Sequence, residues 1–281
     1  MNFSTLDKLS LGELTELFNK AFAEYFVKIE LTPEILQDKI ESEDIRLDLS
    51  VGLFDNEKPV GFLLHGLRNL SGKQIAYNAG TGVLKTYRGQ NATVKMYEQQ
   101  ISVLKQNGVS EIELEAIAQN TPAIKSYEKA GFRKTAELDC FKGKPLLPEK
   151  TTFVTIKEIK NPDLVEFQKL WNWQPTWQNA TETLQKPGRF KTFGAFVDHE
   201  FAGYISGSLH RARIQQFAVV PEYRNKNIGN ALFRYFSDTV NTDISVNNIN
   251  DPTQQTQTFL KKIGLKYALS QHKMNLKIQT S

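Results

Sequence analysis

The chain repeats itself, and this constrains its fold more than any single motif. Lys85-Thr86-Tyr87-Arg88-Gly89-Gln90-Asn91 resembles Pro221-Glu222-Tyr223-Arg224-Asn225-Lys226-Asn227, and each copy follows an apolar run and precedes a long helical pattern. Upstream, Val60-Gly61-Phe62-Leu63-Leu64 parallels Ala202-Gly203-Tyr204-Ile205-Ser206; downstream, Lys129-Ala130-Gly131-Phe132 parallels Lys262-Ile263-Gly264-Leu265. Three matches in the same order point to a duplicated domain, so the folding unit is about half of the 281 residues. The stretch Lys142 to Lys150, with Gly143, Pro145 and Pro148, reads as a connection. The expected domains are therefore 1–143 and 151–281, with 144–150 as linker.

Within the first copy, Leu14, Leu17, Phe18, Ala21, Phe22 and Tyr25 recur at helical spacing, and Thr32-Pro33-Glu34 has the chemistry of a second helix start. Strands are predicted over Ser50–Phe54, Pro59–Leu67 and Gln74–Leu84. A helix should fill about Gly89–Gln106, where Val94, Tyr97, Ile101 and Leu104 form one face and Gly108 supplies the stop. Glu111–Ala116 alternates as a strand, Thr121–Ala130 is helical, and Arg133–Phe141 is a last strand. The predicted order is ααβββαβαβ. The second copy repeats it, with a helix over Asp163–Trp173, strands over Thr192–Val197, Phe201–Ser208 and Arg213–Val220, and a helix over Asn227–Val240. Ile244–Asn247, Thr253–Ile263 and Leu265–Leu276 complete it as strand, helix and strand.

Composition narrows the partners. Thirty-five basic against 31 acidic residues leave a charge of +4, with no basic run longer than two, so a nucleic-acid partner is not expected. The single cysteine, Cys140, cannot close an intrachain disulfide, and with four scattered histidines it is too little for a structural zinc site; no metal is expected. No signal-peptide core and no run approaching about 18 apolar residues is present, so the expectation is a cytoplasmic protein without a membrane partner.

A strand that turns tightly into a helix presents backbone N–H groups without intrahelical partners, and the helix dipole adds positive charge: a ready anion site. Arg88 and Arg224 open the two turns, and small or short residues follow, namely Gly89, Asn91, Ala92 and Thr93 in one and Asn225, Asn227 and Gly229 in the other. Lack of bulk lets a pyrophosphate approach the backbone. The plain alternative is a strand-to-helix turn without a ligand, and the duplication shifts the balance toward a ligand-binding ancestor.

The element order, the two loops, and Asn120-Thr121-Pro122-Ala123 with Tyr127 and Gly131-Phe132 resemble the GNAT superfamily of acyl-CoA-dependent N-acyltransferases, over nearly the whole chain as two tandem copies. Against the family loop, Arg or Gln, two residues, Gly, one residue, then Gly or Ala, Asn91 and Asn227 replace the first glycine. Thr93 replaces the second position, and Gly229 keeps it. The fold implied is α/β: two domains, each a mixed, mostly antiparallel sheet with a splayed parallel strand pair flanked by helices.

The resemblance implies an N-acetyltransferase that moves an acetyl group from acetyl-CoA, as cosubstrate, to a primary amine of a small molecule or peptide by direct attack. The pantetheine arm would lie between the strands ending near Val83 and Ala116. A backbone N–H within Gly82, Val83 and Leu84 would polarise the thioester carbonyl, and Arg88, Gly89, Gln90, Asn91, Ala92 and Thr93, with Asn120, would complete the CoA site. Tyr127, seven residues after Asn120, matches the tyrosine that protonates the departing thiolate; the alternative is an aromatic core residue. Glu111, Glu113 and Glu115 share one strand face, with Glu115 nearest the splayed end. Glu115 is then the candidate base, against a solvated face of three glutamates or deprotonation through ordered water. Leu260 stands in the second copy where Tyr127 stands in the first, which assigns catalysis to the first copy.

Cys140 has no histidine near it in sequence and reads as a small buried residue, and His65, on an apolar strand, reads as a hydrogen-bonded core residue instead of a catalyst. Trp171, Trp173 and Trp177 read as core packing, or else as an aromatic wall. The competing function is a non-catalytic acyl-CoA sensor or protein-interaction scaffold. A Rossmann dinucleotide binder lacks its Gly-x-Gly-x-x-Gly turn here.

Overall fold

The computed structural model describes residues 1–27, 29–147 and 153–278. Residues 148–150 of the expected linker, and 151–152 of the expected second domain, lie outside them. The chain forms two compact units, one of Met1–Ala136 with His272–Ser281 and one of Glu137–Gln271.

The first unit runs through β1 (Asn2–Thr5), α1 (Leu11–Phe22), α2 (Pro33–Ser42), β2 (Val51–Asp55), β3 (Lys58–Leu70), β4 (Lys73–Val83), α3 (Ala92–Gln106), β5 (Val109–Ile117), α4 (Thr121–Lys129) and the start of β6 (Arg133–Gly143). Helix α1 begins in a capping box, where the Ser10 hydroxyl accepts from the Glu13 N–H and the Glu13 carboxylate accepts from Ser10 N–H. It buries Leu14, Leu17, Phe18 and Ala21. The Thr32 hydroxyl caps α2, with Pro33 in its first turn. Strands β1 to β4 pair antiparallel in sequence, and β3 turns into β4 through Ser71 and Gly72, both at positive φ. One face of this sheet packs Val60, Leu63, Ala76, Ile112 and Leu114 against Met96, Tyr97 and Leu104 of α3 and Tyr127 of α4.

The second unit contains β7 (Thr155–Glu158), α5 (Leu164–Phe167), α6 (Thr181–Leu184), β8 (Lys191–Val197), β9 (Glu200–Ser208), β10 (Arg213–Val219), α7 (Ile228–Val240), β11 (Ile244–Ile249), α8 (Gln255–Lys262) and the start of β12 (Lys266–Lys277). Strands β7 to β10 form the antiparallel run, and Phe193, Ile205, Ile214 and Val246 pack against Leu232, Phe233 and Phe236 of α7.

Each unit thus feeds an antiparallel run into a parallel pair, β4 with β5 and β10 with β11. Beyond β5 stands the end of β12, where the Ile278 N–H donates to the Ser110 carbonyl at 2.8 Å. Beyond β11 stands the end of β6, antiparallel, with Ile244 opposite Gly143. Strands β6 and β12 therefore each supply residues to both units, and the compact units divide the chain at other points than 143 and 151.

Two edge strands, β1 and β7, escaped the sequence reading, each being four residues long and thus too short for an alternation to register. The helix predicted over Asp163–Trp173 is a correction. It is one turn of α5 followed by a short 3-10 turn, Gln168–Leu170, because Trp171 leaves on an extended backbone and its indole N–H donates to the Tyr204 hydroxyl at 2.7 Å. Among the described residues no helix is long and apolar enough to cross a membrane.

Candidate active site

The parallel ladder between β4 and β5 is short. It runs from Gln74 opposite Val109 to Tyr77 opposite Glu113, after which β4 continues to Val83 and β5 to Ile117 without pairing. The cause lies on the other edge of β4: Leu64 faces Gly80 while His65 faces Asn78, so Ala79 is an extra residue that bends β4 away. A wedge opens between Asn78–Val83 and Leu114–Ile117, where the sequence reading expects the splayed pair. Among the three expected N–H donors, Leu84 donates to the Val60 carbonyl at 2.9 Å. Alternation of the ladder turns the Val83 N–H away from β3, toward the wedge. Gly82 is required by packing: a Cβ there would meet the Phe62 ring at 2.5 Å and the Ala21 Cβ at 2.8 Å.

The three glutamates of β5 have separate surroundings. Glu111 accepts from the Asn275 amide, Glu113 pairs with Lys273 at 2.9 Å, and Glu115 accepts from the Tyr77 hydroxyl. Glu115 is the first residue on that face beyond the last rung of the ladder. Burial pushes its carboxyl up to about 7, with the Tyr77 hydrogen bond and the Lys273 charge opposing and the Glu113 and Glu43 charges adding to the rise. A carboxyl near 7 is matched to accepting a proton at neutral pH.

Tyr127 is buried on α4, edge-on to Tyr97 and Phe132 with ring centroids 6.4 and 5.9 Å away. Burial pushes its phenol up to about 12, against hydrogen bonds to Thr81 and Asn78. The Asn78 amide also donates to Thr81 at 2.7 Å and to the Tyr97 hydroxyl at 2.6 Å, so residues at the bend of β4 hold both phenols. Such a phenol stays protonated at neutral pH and can donate. Asn120 caps α4, its side-chain oxygen accepting from the Ala123 N–H at 3.3 Å, and it also hydrogen-bonds the Tyr25 hydroxyl.

The loop into α3 is exposed at Arg88, Gly89, Gln90 and Asn91, with Ala92 buried and Thr93 half-buried. Gly89 and Asn91 have φ of 78° and 55°, and no side chain caps the helix. A Cβ at Gly89 would meet nothing within 4 Å, so the glycine answers to its backbone conformation. Uncapped N–H groups behind an open glycine fit a pyrophosphate. The Arg88 guanidinium points elsewhere, donating to the carbonyls of Val83 at 3.0 Å and Ala21 at 2.8 Å, where it fastens the loop to β4 and to the end of α1.

The second unit repeats the wedge and fills it. The β10–β11 ladder has two rungs, Arg213 opposite Ser245 and Ile214 opposite Val246, and Gln215 is the extra residue. Fully buried Asn179 donates to the Asn247 carbonyl of β11 at 2.8 Å, and its own carbonyl accepts from the Gln216 side chain of β10 at 2.7 Å. Its side-chain oxygen accepts from Arg213 at 3.1 Å. Gln216 holds the register place that Gly80 holds in the first unit. The loop matches its counterpart: Asn225 and Asn227 have φ of 60° and 61°, and Arg224 donates to the Val219 and Leu170 carbonyls.

Tyr25, Tyr77, Asn78, Thr81 and Tyr97 stand about the first wedge, and Lys273 and Asn275 hold Glu113 and Glu111 on the paired part of β5, none of them given a site role from sequence; the bend that joins Asn78 and Thr81 comes from the extra residue at Ala79, which no local motif announces. His65 and Cys140 are buried as expected, and burial pushes the His65 imidazole down to about 4. Trp177 is buried, and Trp173 packs against the second core. Among the described residues no group of three or more His, Cys, Asp or Glu is placed to hold a metal ion.

Two units, each with a mixed run of strands whose parallel pair parts beside an uncapped helix start, have the architecture of a GNAT N-acyltransferase. The model described as "Acetyltransferase (GNAT) family" matches residues 12–132, and that of an "Acetyltransferase (GNAT) domain" matches residues 163–272. The chain belongs to the GNAT family, as a tandem N-acyltransferase. It is similar to N-alpha-acetyltransferase 30 of Schizosaccharomyces pombe, 31% identical over 90 residues, covering 30% of this chain and 57% of that protein. The match spans little more than half of the relative's length. Among solved structures, a tandem GNAT protein from the clavulanic acid biosynthesis pathway covers 100% of this chain and 99% of its own, with TM-score 0.73 and 14% identity. A GCN5-related N-acetyltransferase from Sphaerobacter thermophilus covers 96% and 93%, with TM-score 0.71 and 12% identity. These likenesses speak for the fold.

Proposed function

We propose that the first unit transfers an acetyl group from acetyl-CoA to a primary amine of a small molecule or peptide by direct attack, and that the second unit is a degenerate, structural copy. Acetyl-CoA supplies the thioester whose carbonyl is attacked. Backbone N–H groups of Gly89–Thr93 at the start of α3 would hold the pyrophosphate, and the Val83 N–H would hold the carbonyl oxygen. Glu115 takes the amine proton, directly or through water, and Tyr127 gives its proton to the leaving thiolate. The wedge brings amine and thioester together, which supplies the larger part of the rate.

The observation that carries this reading is the difference between the two wedges. In the first, the side chains at the parted strands are a carboxyl and a phenol that can exchange protons, Glu115 held by Tyr77 and Tyr127 held by Thr81 and Asn78; in the second, the amides Asn179 and Gln216 tie β10 to β11. The relative's name, an N-alpha-acetyltransferase, is consistent with an amine acceptor, peptide α-amines included. The test is release of free CoA thiol from acetyl-CoA across a panel of small amines and peptides. Amine-stimulated release is expected; acetyl-CoA binding without turnover on any amine would favour a sensor instead.

A further inference from the structure

The carboxylate face of β5 is completed by residues from the far end of the chain. Lys273 and Asn275 lie on the part of β12 that belongs to the first unit, and both family matches, ending at residues 132 and 272, stop short of them. The Lys273 ammonium stands 2.9 Å from a Glu113 oxygen, with both side chains about three-quarters or more buried, at 26% and 20% exposure. The Asn275 amide donates to Glu111 and lies 3.4 Å from Glu113. Glu113 and Glu111 are thus held by β12, whereas Glu115 is held by Tyr77 of β4.

We propose that Lys273 is a positioning residue of the first unit's acyl-transfer site: it neutralises Glu113 and so keeps the neighbouring Glu115 able to ionise and take the amine proton. The proposal rests on Glu115 being the base. Charged and titratable groups face this carboxylate from every element around it. Glu111 and Glu113 stand on its own strand, Tyr77 on β4, Lys273 on β12, and Glu43 at the end of α2, where Glu43 pairs with Lys39 at 2.7 Å. Glu43 and Lys39 offset each other, as do Glu113 and Lys273. Without the ammonium, Glu113 becomes an uncompensated negative charge two residues from Glu115 on the same face, and a second carboxylate there resists ionisation. The arrangement also explains why a side chain outside both family matches is part of the site: β5 needs a neighbour on its open edge, and β12 provides it.

The test uses the full chain and the pH dependence of kcat/KM with one amine and acetyl-CoA. For Lys273→Met, which keeps length and packing but not charge, the acid limb should move to higher pH by about one unit. Acetyl-CoA affinity by titration calorimetry should stay as in the parent, and Lys273→Arg should restore the limb. In a Glu115→Gln background, Lys273→Met should produce no further shift. If Lys273→Met folds poorly, Lys273→Gln carries the same measurement. An unmoved limb in Lys273→Met or Lys273→Gln, with the limb abolished by Glu115→Gln, would overturn the role of Lys273 and leave Glu115 as base. Full turnover and an intact limb in Glu115→Gln would instead overturn the base assignment on which the proposal rests.

Discussion

Asn91 and Asn227 occupy the same left-handed turn, with φ of 55° and 61°, each as the last residue before a helix that no side chain caps. Asparagine is the residue other than glycine that tolerates this conformation at least cost. The replacement of the first family glycine in both copies therefore preserves the turn and is no sign of a broken loop. Gly89 stands under the same demand at φ 78°. Gly89→Val, a β-branched residue in that region, is expected to weaken acetyl-CoA binding about tenfold or more, and to lower the melting temperature through backbone strain alone, since its Cβ would touch nothing. Asn91→Gly should bind as the parent does. Calorimetric titration beside thermal melts decides, and equal binding by folded Gly89→Val would move the pyrophosphate elsewhere.

Tyr127→Phe keeps the ring that packs against Tyr97 and Phe132 and removes only the hydroxyl held by Thr81 and Asn78. Turnover should fall by about ten- to a thousandfold with acetyl-CoA affinity nearly unchanged. Unchanged turnover, with chemistry rate-limiting, would leave Tyr127 as a core residue.

Glu115, with its carboxyl pushed up to about 7, gives activity that rises with pH through that value, because the base works ionised. The sign for stability is the reverse. Between the ordinary carboxylate value of 4.5 and about 7 the folded chain binds the proton more tightly than the unfolded one, so this group's contribution is present at low pH and is lost as pH rises. Glu115→Gln should lack the acid limb, lose about ten- to a thousandfold in turnover, and gain in melting temperature relative to the parent between pH 5 and pH 8. A constant difference across that range would show that the carboxyl is not perturbed.

The duplication, the order of long elements and both strand-to-helix turns were legible because each is written in consecutive residues. Leu14, Leu17, Phe18 and Ala21 mark α1 by their spacing alone. What was not legible depends on partners far apart in sequence. Glu111, Glu113 and Glu115 alternate like a solvated face, and only Asn275, Lys273 and Tyr77 distinguish them. The Asp163–Trp173 pattern looks helical until Tyr204 claims the Trp171 indole. Arg88 opens a turn whose sequence suggests an anion site, yet its guanidinium is spent on two backbone carbonyls, which no spacing announces.

Asn179 is buried in a bridge between β10 and β11, so Asn179→Ala should leave the Asn247 carbonyl and Arg213 without this partner. A loss of about 2–3 kcal/mol of stability is expected, with acetyl-CoA affinity unaltered. Denaturant unfolding measures the first and calorimetry the second; a rise in the number of acetyl-CoA molecules bound per chain would mean that the second wedge is a blocked site instead of a structural one.

Arg88 and Arg224 perform matching tasks, each fastening its loop through two backbone carbonyls, Val83 and Ala21 in one unit and Val219 and Leu170 in the other. Arg88→Glu and Arg224→Glu are therefore an evenly matched pair for asking which cleft performs the chemistry. The measurement is turnover of acetyl-CoA with a saturating amine for each variant, with melts to show that both fold. Catalysis in the first unit predicts a loss of about tenfold or more for Arg88→Glu and near-parent turnover for Arg224→Glu; loss confined to Arg224→Glu would contradict the account and move the chemistry to the cleft between β10 and β11.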